Sequence, residues 1–180
     1  MRHFAASAAL ILSAAPAIAQ EAAGDTVAAV LSHFEAGILC AQEVIGTTPA
    51  PDTVAGITNI IENDPPFVSN GRQVPAVLGV GFGVKAQSAG IDYPEVTMVL
   101  THPPMGPEGM TRQSYTTSIG TADTSISFYQ LEYEYELVIG HWTFTAMAAG
   151  KVLYSAGFDV VDPRQVPELG GLCGYEHLLS

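Results

Sequence analysis

Period-two alternation of apolar and polar residues runs through much of this chain, and helical periodicity is hard to find. The clearest case is FYQLEYEYELVIG, residues 128–140. Tyr129, Leu131, Tyr133, Tyr135 and Leu137 fall on one side, and Gln130, Glu132, Glu134 and Glu136 on the other. That pattern predicts a half-buried strand, because successive side chains of a strand point to opposite faces. HWTFTAM and KVLYSAGFDVV follow, joined by Ala149-Gly150, and read as a hairpin. Trp142, Phe144 and Ala146 share one face of its first arm; Val152, Tyr154, Ala156, Phe158 and Val160 share one face of the second.

Upstream, the segment from Ala28 to Cys40 alternates less cleanly and could be a strand or a short helix; Gly37 and Ile38 favour a strand. TTPAPD, residues 47–52, reads as a turn, and GITNIIEN as a short strand stopped by Asp64-Pro65-Pro66. QVPAVLGVGFGVKAQ, residues 73–87, is an apolar run with glycines at 79, 81 and 83. A dinucleotide loop would need a helix to follow, and none does, so these glycines predict a buried strand with close backbone approach or a bulge. EVTMVLTH puts Val96, Met98 and Leu100 on one face, and RQSYTTSIG is another short strand ended by Gly120. About seven or eight short antiparallel strands with turns between them, and an aromatic Trp142 opening the penultimate one, predict an all-β, immunoglobulin-like β-sandwich; a small barrel is the alternative.

The ends change the picture from fold to compartment. Residues 1–19 join Arg2 and His3 to an apolar run and an Ala17-Ile18-Ala19 ending, the pattern of a secretory signal peptide cut before Gln20. Residues 20–27 then read as a linker, 28–162 as one domain and 163–180 as a C-terminal tail. The expected product is periplasmic or secreted, with no membrane span. The chain carries 18 acidic against 6 basic residues, a net −12. Such a surface repels phosphate backbones and excludes nucleic acid and anionic lipid as natural partners. The two cysteines, Cys40 and Cys173, have no C-x-x-C or ligand spacing, and in an oxidising compartment they predict a disulfide pinning the tail to the first strand.

VPAVLGVGFGV, VTMVLTHPPMGPEG, YELVIGHWTF and GKVLYSAGFDVV together resemble a bacterial family of exported or cell-envelope domains of unknown function. In that family a strand ending in His-Pro-Pro precedes a Glu-Leu-x-x-Gly-x-Trp-x-Phe segment and a closing hairpin. The likeness covers roughly residues 28–162. It implies a fold and brings no catalytic residues with it.

Candidate chemistry is sparse. THPPMGPEGM, residues 101–110, offers His102, Met105 and Met110, imidazole and thioether ligands of the kind that select copper. Met98 and His141 lie elsewhere, Met98 expected in the core. The same prolines and glycines also spell a turn, which accounts for the composition without any metal. Glu132, Glu134 and Glu136 could face a hard cation, but a flat strand face would splay them, so a solvated face is the plainer reading. No Gly-x-Ser-x-Gly elbow supports a hydrolase. Trp142, Phe144 and Phe158 are expected as structural core. The expectation is therefore a non-enzymatic envelope module without a cofactor, acting on an unknown protein partner; copper binding through the His102/Met105 loop is the alternative and a hydrolase the third.

Overall fold

The structure, a computed structural model, describes residues 24–62 and 64–179; the expected signal peptide lies outside them. Eleven strands form: β1 (Thr26–Val27), β2 (Leu31–Leu39), β3 (Val44–Pro49), β4 (Ile57–Ile61), β5 (Gln73–Pro75), β6 (Gly81–Ser88), β7 (Tyr93–Met105), β8 (Met110–Ile119), β9 (Ser125–Gln130), β10 (Gly140–Ala148) and β11 (Lys151–Val161). One sheet has the order β1-β11-β10-β7-β8, a second β2-β6-β9, and β3-β4 stand apart as a two-stranded ribbon. Lettered in chain order, β2, β6 and β9 take the places of strands A, B and E of an immunoglobulin domain, and β8, β7, β10 and β11 those of C′, C, F and G. The single parallel pairing, β5 on β11, adds a short strand at the outer edge. The protein is an all-β, immunoglobulin-like sandwich.

The facing sheets meet on aromatic rings. Phe82 from β6 packs edge-on against Trp142 and Phe144 at 5.5 and 5.8 Å between centroids, and lies 5.2 Å from Phe158. All four rings are buried, as are Val96, Met98 and Leu100 on β7. Each such side chain contributes roughly 1.5–3 kcal/mol by leaving water. Gly83 permits the β6–β9 approach: a Cβ there would lie 2.2 Å from the Ser127 carbonyl oxygen. Gly81 similarly faces Leu39, so the glycine run serves strand packing.

Four details of the alternation change. The segment after Gln130 is not strand: it breaks at buried Leu131 and makes a 3-10 turn over Glu134–Glu136. Leu131 is tied back by backbone bonds to Gly79 and Val80, which ends β9. TTPAPD is split, because β3 runs through Pro49 to pair with Ile57, and the turn falls at residues 50–56. Val152 leaves the buried face it would share with Tyr154, because a bulge at Leu153 sets two β11 residues, Leu153 and Tyr154, on the core side. The His-Pro-Pro segment is a continuation of β7 to Met105 past an irregularity after Thr101, and only residues 106–109 turn.

Beyond Val161 the chain makes a 3-10 turn, the short helix α1 (Glu168–Cys173) and a second 3-10 turn. Cys173 is bonded to Cys40, just past β2.

Candidate functional site

A cleft of about 230 Å³ opens at one side of the sandwich, between β8 of the first sheet, β9 of the second and the β3-β4 ribbon. Gln113 and Tyr115 from β8, Ser127 and Tyr129 from β9, Asn59 from β4, and Glu132 and Glu136 from the turn after β9 bring polar groups to it.

Two polar networks reach it, the first through Gln113 and the second through Tyr129, Glu132, Glu136 and Asn59. In the first, Val54 N–H donates to Gln113 Oε1 at 2.8 Å, which fixes the amide so that its Nε2 donates to His102 Nε2 at 3.1 Å. His102 Nδ1 must then carry the proton, and it donates to the Pro103 carbonyl oxygen at 2.8 Å. The imidazole lies 4.8 Å from the Trp142 ring and is buried. Burial holds its pKa below the ordinary 6.5, partly opposed by the Pro103 bond, so the ring is neutral with one defined tautomer.

In the second network, the buried Glu136 carboxylate accepts from Tyr129 O–H at 2.6 Å, Glu132 N–H at 2.6 Å and Tyr133 N–H at 3.0 Å. Burial raises its pKa above the usual value; the three donated bonds pull the other way and do not cancel it. Burial, with this carboxylate alongside, drives the Tyr129 phenol far above its ordinary range, and burial, partly opposed by a bond with Ser127, pushes Tyr115 up to about 12. Neither phenol ionises near neutral pH. Glu132 Oε1 accepts from Asn59 Nδ2 at 2.9 Å and Gln130 Nε2 at 3.3 Å, so a carboxylate ties the ribbon to the second sheet.

The residues singled out in the sequence fall as follows. Met105 and Met110 face each other directly across the β7–β8 turn, Met105 buried and Met110 half-buried. His102 is on the same strand as Met105, with both ring nitrogens engaged. Met98 is in the core, and His141 lies on the outer face of β10, 2.8 Å from Asp159. Glu132, Glu134 and Glu136 do not share a face: Glu136 turns inward and Glu134 is exposed. Among the described residues no group of three His, Cys, Asp or Glu side chains is placed to hold a metal ion. Gln113 and Asn59 were not singled out by the sequence, and Tyr129 only as one residue of an alternating strand face. Gln113 carries a signal, since a glutamine on the same face of β8 as Tyr115 needs a partner in the interior.

Residues 27–160, from Val27 of β1 to Val160 of β11, match the family model described as "Domain of unknown function (DUF3859)". The chain belongs to that family. The DUF3859 match contains every cleft residue named above. Among solved structures, an immunoglobulin-like protein from Pseudomonas aeruginosa is 19% identical, with a TM-score of 0.47, over 79% of this chain and 100% of that one. A Pseudomonas fluorescens alkylpurine DNA glycosylase bound to DNA aligns at 13% identity and a TM-score of 0.30, over 49% of this chain and 27% of that one. No curated protein matches. No helix among the described residues is long and apolar enough to cross a membrane.

Proposed function

We propose that this DUF3859 domain is a non-enzymatic binding module of the cell envelope, periplasmic or secreted after cleavage near Ala19, whose ligand is another protein. The observation that carries this reading is that the two buried groups best placed for acid–base work, His102 and Glu136, are tied into hydrogen bonds within the domain. His102 engages both ring nitrogens, and Glu136 accepts three hydrogen bonds, from neighbours of the same domain. A catalytic base needs a lone pair within reach of substrate; here those lone pairs organise the fold. The disulfide fits an oxidising compartment, and the net −12 favours a basic protein surface over nucleic acid.

The second reading, copper handling, draws on the Met105–Met110 pair across the turn. For it, His102 would have to surrender Gln113 and turn Nε2 towards the thioethers. Calorimetric and spectroscopic titration of the purified mature chain with Cu(I), Cu(II) and Ca2+ separates the two. The module reading expects no binding tighter than buffer competition; sub-micromolar binding abolished by His102→Ala would replace it with the copper reading. Its positive test is crosslinking in intact cells followed by identification of crosslinked peptides. A reproducible partner peptide joined to the domain supports it, and recovery of the uncrosslinked domain alone counts against it.

A further inference from the structure

Open sheet edges are where folded proteins are most exposed to pairing with other chains, and they are normally blunted by charge, proline, bulges or cover. The outer edge of β11 is covered by β1 and β5. β2 has a bulge between Leu31 and His33, carries His33 and Glu35, and is bridged at Ile38 by two backbone bonds to Val68 and Ser69. β8 has irregular register with β7, carries Arg112, and gives its Ser114 N–H to the Asp52 carbonyl. Among the described residues, β9 has no charge, proline, bulge or backbone pairing on its outer side, and only side-chain contacts from the ribbon lie beside it. Its sequence SISFYQ holds no charge and no proline, its six-residue register with β6 is unbroken, and β6 is its only strand partner. Among the described residues no backbone hydrogen bond reaches its other side.

That side opens into the cleft, which Ile126, Phe128 and Gln130 line from β9. Ile57, Thr58 and Asn59 of β4 line the same cleft, and β4 too is paired on one side only, with β3. The ribbon is held beside β9 by side chains. Gln130 Oε1 accepts from Gln42 N–H at 2.7 Å, Gln130 Nε2 donates to the Gln42 carbonyl at 3.3 Å, and Asn59 reaches Glu132. Two strand edges thus border one gap without pairing across it.

We propose that this gap is a strand-addition site, where an extended segment of a partner protein pairs with the free edge of β9. This rests on the module reading above and names its mode of binding. Main-chain pairing would supply affinity, and alternate side chains the selectivity. The walls fix the chemistry of the guest: threonine, isoleucine and phenylalanine side chains suit small β-branched residues, no Lys or Arg lines the cleft, and Glu132 stands at its Gln130 end. The fitting guest is a short β-branched segment with an Arg or Lys near one end.

The probe is the capped heptapeptide Arg-Thr-Val-Thr-Val-Thr-Arg, whose paired arginines allow either orientation, added to the mature disulfide-bonded chain. Backbone amide exchange over residues 125–130 is followed by NMR. The expected result is slowing of the outward-facing β9 amides by about tenfold or more on peptide addition, lost when alternate peptide amides are N-methylated. Glu132→Gln, which keeps an oxygen for Asn59, should weaken binding several-fold and flatten its salt dependence. Outward β9 amides already as protected as those of β6 in the free protein, or equal binding of N-methylated peptide, would overturn the proposal. So would a crosslinked cellular partner that the peptide fails to displace, and in that case the module reading stands. Peptide protection of β9 with no cellular partner found would leave the strand site and remove the module reading.

Discussion

His102 shows how a residue that looks like a ligand in sequence can be a structural polar group. Its neighbours decide the matter: Gln113 supplies the donor, Pro103 the acceptor and Trp142 the dry surface. Because its folded pKa lies below the unfolded 6.5, the native state binds fewer protons than the unfolded chain between those values. Its contribution to stability is therefore complete above pH 6.5 and is lost as pH falls through the folded pKa. Titration of the imidazole by ¹⁵N NMR should find a pKa under 6.5 and a neutral Nδ1–H tautomer; an Nε2–H tautomer would refute the network. Glu136 has the opposite sign. Its raised pKa means that the folded protein keeps a proton the unfolded chain has released, so its contribution is greatest below the ordinary glutamate pKa and falls as pH rises through the folded value. Urea midpoints measured from pH 4 upward should show that decline in the wild type and not in Glu136→Gln. No periodicity encodes either environment. Both depend on partners such as Val54 and Tyr129, brought in from other elements.

Strands were legible where alternation coincided with a buried face, as at Trp142, Phe144 and Ala146 on β10. The same rule overran at Glu132–Glu136. There the alternation is real in the sequence, but β9 stops because Leu131 bonds back to Gly79 and Val80, and Glu136 then finds three donors in a turn. The Met105–Met110 turn shows the reverse error, in which Pro103 and Pro104 read as loop yet lie within β7. An irregular strand tolerates them where its ladder is already broken. The glycines of β6 give the sharpest prediction at this scale. Gly83→Ala should destabilise the domain by roughly 1–3 kcal/mol in chemical denaturation, because the added methyl meets backbone that cannot turn aside. A change within experimental error would mean that β6 and β9 stand farther apart.

For the molecule as a whole, the immunoglobulin-like sandwich was legible from the run of short strands and the late tryptophan, but eleven strands form among the described residues where seven or eight were expected, because short β1 and β5 add to an edge of one sheet and β3-β4 form a ribbon separate from both main sheets. Ribbon residues such as Ile45 and Ile60 are exposed, and nothing in their pattern distinguishes a ribbon from a sheet edge. Trp142 touches Phe82, Tyr129 and His102, and so joins the sheets to the polar floor of the cleft. Trp142→Ala should lower stability by roughly 3–5 kcal/mol, and an unchanged denaturation curve would contradict its place in the core. Replacing Cys40 and Cys173 by serine should cost about 2–5 kcal/mol, read as a lower urea midpoint than that of the oxidised wild type. The 133-residue separation of these cysteines also sets an order of events. A ribosome delivers Cys40 before, and Cys173 after, every sandwich strand from β3 to β11. The native cross-link therefore closes only after β11 has been made: a chain truncated before α1 leaves Cys40 with no native mate, and its free thiol distinguishes molecules without α1 from those that carry it.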